Sequence, residues 1–124
     1  MPTFLHTRLR VGDLERSIAF YAKLGFACAK RTEKSPAGNQ LAFLELSGNT
    51  HLLELAYSPD NIPKVPEDLV HTALGFHDFI AKCLELEGQG VTVWPDGFAE
   101  KFKTEKKMAF VTDPDGYEVE LLEK

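Results

Sequence analysis

Two histidines and two glutamates stand at matched spacing in this chain of 124 residues. His6 lies in FLHTRLRV, residues 4–11, and His71 lies in LVHTALGF, residues 69–76. Both segments read apolar, apolar, His, Thr, any residue, Leu. Glu54 falls in HLLELAY and Glu120 in YEVELLE, each just before a leucine. From His6 to Glu54 is 48 residues, and from His71 to Glu120 is 49. A His–Glu pair written twice at one interval points to duplication of a structural unit within a domain. Imidazole nitrogen together with carboxylate oxygen suits Zn, Ni, Co, Fe or Mn better than Ca or Mg. Four such ligands in an octahedral site leave two positions, which can chelate neighbouring oxygens of a substrate while the metal acts as a Lewis acid. Four solvated or hydrogen-bonded strand side chains are the plain alternative, and residue type and spacing alone leave it open.

The elements that must position these residues follow the same repeat. FLHTRLRV alternates and reads as a strand. Asp13 offers a helix N-cap, and LERSIAFYAKL carries an apolar stripe at residues 14, 18, 20, 21 and 24 that Gly25 stops. FACAKR, QLAFLEL and HLLELAY read as three further strands, with turns at SPAGN (35–39) and SGNT (47–50). SPDNIPKVPED, residues 58–68, has three prolines and too few apolar residues to fill a core, so it reads as a linker. The second half then repeats the plan. LVHTALGF is a strand, and DFIAKCLELEG is a helix with Asp78 as its cap. VTVW is a short strand, residues 95–107 are a long charged loop, MAFVTD is a strand, DPDG is a turn, and YEVELLE is the last strand.

This predicts an α+β fold: two tandem βαβββ modules forming a curved, barrel-like mixed sheet with helices on the outer face. Module one covers 1–57 and module two 69–124, in a single domain spanning 1–124. Alternation puts His6 with Arg8 and Arg10, opposite Leu5, Leu9 and Val11. It puts His71 with Ala73 and Gly75, opposite Val70, Leu74 and Phe76. Glu120 shares a face with Glu118 and Leu122, opposite Val119 and Leu121. The apolar faces are expected against the helices, and twist would gather the other face into a concave, partly polar pocket.

Composition narrows the field of functions. A net charge of −5 and a pI near 5.3 argue against a nucleic-acid partner. No apolar run approaches the ~20 residues that cross a bilayer, and no signal-peptide core follows the N-terminus. Cys28 and Cys83 have no ligand-like spacing and read as buried free thiols in a reducing cytoplasm.

HTRLRVGDLERSIAFY (6–21), LLELAY (52–57), VHTALGF (70–76) and AFVTDPDGYEVELLE (109–123) together resemble the lactoylglutathione lyase (glyoxalase I) family of the vicinal-oxygen-chelate superfamily. The resemblance implies paired βαβββ modules and a divalent metal held by His6, Glu54, His71 and Glu120. Ni and Co are favoured over Zn by the compact length. It implies glutathione as co-substrate and the hemithioacetal of methylglyoxal as substrate, converted to S-lactoylglutathione through an ene-diolate. Glu120 would be the base, with Glu54 the symmetric alternative. A homodimer with metal sites shared between chains is implied too. Arg10, in the His-Thr-x-Leu-Arg pattern, would grip a glutathione carboxylate with its planar fork.

The chain departs from that pattern in places. Glutathione-using members commonly have Asn-Trp-Gly after Glu-Leu-Thr, whereas here Glu54-Leu55-Ala56-Tyr57-Ser58-Pro59 puts Ser58 in the Asn position. The glycine-bearing loop before the seventh strand is replaced by one rich in charge, including Lys101, Lys103, Lys106 and Lys107. These lysines could bind an anionic substrate, of which Lys101 is the candidate, or could simply be solvated. Another enzyme on the same metal, an epimerase or a dioxygenase, and a small-molecule-binding protein are the alternatives. Trp94 and Phe98 read as core, and His51 and His77 as surface.

Overall fold

The computed structural model describes residues 1–101 and 107–124, in two compact units, Met1–Lys64 and Val65–Lys124. The boundary falls inside the proline-bearing segment 58–68, where no helix or strand forms.

The first unit runs β1 (His6–Arg10), α1 (Leu14–Lys23), β2 (Ala27–Thr32), β3 (Gln40–Glu45) and β4 (Leu52–Tyr57). Its sheet has the order β1-β4-β3-β2, with β1 parallel to β4 and the other pairs antiparallel. Asp13 does cap α1: its carboxylate accepts the Arg16 backbone N–H at 3.0 Å. Gly25, at φ 112°, ends the helix in a conformation that a side chain would strain. Helix α1 buries Leu14, Phe20 and Tyr21 and packs on β2, β3 and β4. Register aligns Leu9, Leu55 and Ala42 across three strands, and all three are buried. The parallel pairing of first and last strands matters most for the site, because it brings the start of the unit beside its end.

The second unit runs β5 (His71–Phe76), α2 (Phe79–Gly88), α3 (Phe98–Lys101), β6 (Met108–Thr112) and β7 (Glu118–Glu123). Its sheet has the order β5-β7-β6, again with first and last strands parallel. Val119 and Leu121 of β7 and Phe79, Cys83 and Leu86 of α2 are fully buried, which realises the expected apolar face. The DPDG turn is fastened by Asp113, whose carboxylate accepts the N–H groups of Asp115 and Tyr117, both at 2.9 Å.

Several expectations are corrected. VTVW is reduced to a single bridge between Trp94 and Phe110. It has four residues between Gly90, at positive φ, and Pro95, which has no N–H to extend a ladder. Asp78 makes no side-chain cap bond to α2. The charged loop contains α3, and Phe98 buries itself there as expected, whereas Trp94 is 59% exposed. Cys28 is exposed, because it lies on β2, an edge strand whose residues are nearly all exposed. Leu5 and Val70 precede their strands and are exposed. Lys103 and Lys106 lie outside the described residues.

Candidate functional site

In the first unit β1 and β4 pair with Arg8 directly opposite Glu54. Parallel partners share a face, so His6, Arg8 and Glu54 point the same way. Glu54 is 2% exposed, because β4 is an inner strand with β1 and β3 on either side. A carboxylate so buried requires a charged partner. Arg8 Nε donates to Glu54 Oε1, and His6 Nε2 faces Glu54 Oε2 at 3.7 Å. That last separation is too long for a hydrogen bond, yet short enough for both atoms to reach one ion at about 2.1 Å each. Phe43 lies opposite Glu54 on β3, and its ring meets His6 edge-on, with centroids 5.7 Å apart.

The second unit builds the same arrangement. His71 Nε2 faces Glu120 Oε1 at 3.6 Å. Phe110 lies opposite Glu120 on β6, and its ring meets His71 edge-on at 5.9 Å. The position opposite the glutamate differs. Where Arg8 stands opposite Glu54, Ala73 stands opposite Glu120. The Glu120 side chain is 18% exposed against 3% for Glu54. An open cleft of about 940 Å³ extends from Phe110 along Thr112, Glu118, Trp94 and the Glu67–Asp68 pair.

The structure therefore brings His6 to Glu54 and His71 to Glu120. Arg10 shares the polar face of β1, and its Nη2 donates to Asn39 Oδ1 at 3.0 Å. Asn39 is itself buried, with its backbone N–H on Ser35 Oγ at 3.1 Å. Ser58 directly follows β4, half-buried, and its carbonyl accepts the Asn61 N–H at 3.2 Å. Lys101 ends α3, exposed, and among the described residues no hydrogen bond or ion pair joins it to His71 or Glu120. Among the described residues no group of three or more His, Cys, Asp or Glu side chains is placed to hold a metal ion; the structure brings together one His–Glu pair within each unit. Neutral imidazole and carboxylate are donors that first-row divalent ions accept, so the residues fit such an ion.

Sequence reasoning missed four participants: Arg8 as the partner of Glu54, Asn39 as the brace of Arg10, and the two phenylalanines. The phenylalanines were findable. Phe43 precedes Glu54 by 11 residues and Phe110 precedes Glu120 by 10, so the repeat extends to them. His51, expected on the surface, clamps the start of β1: its Nε2 meets Thr7 Oγ1 at 2.9 Å and its Nδ1 meets the Phe4 carbonyl at 3.1 Å.

Residues 3–121 match the family model of the Glyoxalase/Bleomycin resistance protein/Dioxygenase superfamily. The chain is 36% identical over 125 residues to the lactoylglutathione lyase of Escherichia coli, covering 97% of this chain and 91% of the relative. It is 36% identical over 126 residues to a probable lactoylglutathione lyase of Vibrio parahaemolyticus, covering 96% and 88%. Among solved structures it is similar to the trypanothione-dependent glyoxalase I of Leishmania major, at a TM-score of 0.77 and 32% identity, covering 99% of this chain and 87% of that one. A family match over nearly the whole chain, with the His–Glu pairs inside it, means that this chain belongs to the Glyoxalase/Bleomycin resistance protein/Dioxygenase superfamily.

Proposed function

We propose that the protein is a metal-dependent glyoxalase I-type lyase. It isomerises the hemithioacetal of methylglyoxal and a thiol, with glutathione the first thiol to test, to S-lactoylglutathione through an ene-diolate. The observation that carries this reading is the His–Glu pair facing across the polar side of each unit's sheet, at 3.7 and 3.6 Å. The names of the relatives supply the substrate class.

His6, Glu54, His71 and Glu120 would hold one divalent ion, with Ni, Co and Zn the candidates. Bound there, the ion supplies Lewis-acid polarisation of the substrate's neighbouring oxygens and offsets the negative charge that develops on them. Glu120 is the base. Its carboxylate takes the proton from the carbon that bears the sulfur and returns it to the neighbouring carbon, which converts thiohemiacetal and ketone into thioester and secondary alcohol. Glu54 is the symmetric alternative. Arg10, held by Asn39, presents a donor fork to a carboxylate of the thiol. Ser58 and Lys101 are the further substrate contacts of this reading. Both modules work as one functional domain, in the cytoplasm, in a homodimer whose metal sites are shared between chains.

The test is to strip the protein of metal, reconstitute it separately with Ni, Co and Zn, and measure S-lactoylglutathione formation from methylglyoxal and glutathione. Metal-dependent turnover is expected and names the activating ion. Tight metal binding without turnover for any ion would move the substrate elsewhere in the superfamily. Absence of metal binding would remove the reading altogether.

A further inference from the structure

The duplicated arrangement is unequal at the position opposite each glutamate. His6 corresponds to His71, Glu54 to Glu120, and Phe43 to Phe110. Each correspondence covers strand, register and contact. The residue opposite the glutamate does not correspond: it is Arg8 in the first unit and Ala73 in the second. Among the described residues, the two carboxylates thus differ in whether a cation of the chain sits on them.

We propose that Arg8 is a built-in counter-ion for Glu54 that competes with the divalent cation, so that the first unit's pair takes the ion against a resident positive charge and the second unit's pair does not. This rests on the metal-binding reading given above. The ion pair occupies Glu54 Oε1, whereas Oε2 faces His6. An ion held by His6 and Oε2 would therefore share the carboxylate with a guanidinium, and the two positive charges would repel at close range. A guanidinium is also always charged, so it cannot relieve that repulsion by losing a proton. The Arg8 side chain is 44% exposed whereas that of Glu54 is 3% exposed. The guanidinium can swing into solvent, but the carboxylate stays. In the metal-free protein Arg8 keeps a buried carboxylate compensated, which Glu120, more exposed and facing Ala73, does not require. Arg8 is thus a positioning residue: it weakens the ion's hold at Glu54 and keeps that carboxylate occupied, leaving Glu120 as the one free to move protons.

The test measures Ni affinity of the metal-free protein by competition with a chromophoric chelator, at slightly alkaline pH, together with the rise in Tm that Ni produces. Arg8→Met keeps the apolar stem and removes the charge. It is expected to lower the Tm of the metal-free protein, to tighten Ni binding by about tenfold or more, and to enlarge the Ni-induced rise in Tm. Arg8→Lys should behave like the unaltered chain, which a role in packing alone would not give. Ala73→Arg, at an exposed position of β5, is the reciprocal change and should weaken Ni binding. It tests the idea even if Arg8→Met fails to fold. Equal or weaker Ni binding in Arg8→Met, or unchanged binding in Ala73→Arg, overturns the inference while leaving the metal site in place. Failure of every form, the unaltered chain included, to bind Ni, Co or Zn overturns both.

Discussion

Phe110 meets His71 edge-on, with ring centroids 5.9 Å apart and planes 87° apart. The positive edge of one ring against the face of the other favours this orientation, and contacts of this kind contribute about 0.5–1.5 kcal/mol beyond area burial. In this contact Nε2 of His71 faces Glu120 Oε1 at 3.6 Å.

Phe110→Leu keeps the apolar volume near β6 but loses the edge contact. The expected result is a folded protein with weaker metal affinity and turnover lowered about tenfold, since small misplacements of a site group are costly. Thermal melting, chelator competition and steady-state kinetics read the three parts separately.

Glu120→Gln is nearly the same size and removes the basic oxygen. Turnover should fall at least ~100-fold, in line with loss of a positioned general base, with the circular dichroism spectrum unchanged. Near-normal turnover in that variant with the ion still bound would transfer the role to Glu54.

Asp113 is 4% exposed and accepts two backbone N–H groups of the turn into β7. Asp113→Ala leaves both donors without that acceptor and should lower unfolding free energy by about 1–3 kcal/mol. The midpoint of urea denaturation measures it. Asp113→Asn keeps an acceptor oxygen and should cost less.

The two thiols should behave oppositely. Burial, with Glu87 adding to it, pushes the Cys83 thiol up to about 11, while Cys28 is exposed. An aromatic disulfide reagent should consume one thiol in the native protein and a second only on unfolding. Cys83 also confers a pH dependence. The unfolded chain releases this proton first, so stability is full below the thiol's ordinary value and falls as pH rises through about 11. Cys83→Ala should remove roughly one proton's worth of that slope.

Much of this architecture was legible because two independent periodicities agreed. The two-residue alternation of strands and the long interval of the duplication both placed His6 and His71 on the polar faces, and the burial of Leu9, Val119 and Leu121 follows from the same alternation. What stayed hidden depends on cross-strand register, which local pattern does not encode. Nothing in HTRLRV says that Arg8 rather than Arg10 lies opposite Glu54, nor that Asn39, in a turn, reaches Arg10. VTVW has the composition of a strand, yet its neighbours Gly90 and Pro95 leave room for one bridge only. Trp94 reads as core by residue type, but the cleft it lines leaves its ring exposed.

Parallel pairing of the first and last strands in each unit has a consequence for how the donors come into being. In the first unit the carboxylate partner of His6 follows it by 48 residues. The two meet only once β4 has docked beside β1. Such closure is of long range and carries most of its entropic cost before any reward. A nascent chain that has yet to synthesise Glu54 holds half a pair, and a cation can gain no two-donor purchase on it. On the metal-binding reading proposed above, an ion would therefore bind only after a unit has folded, and it would not be a template that starts the process.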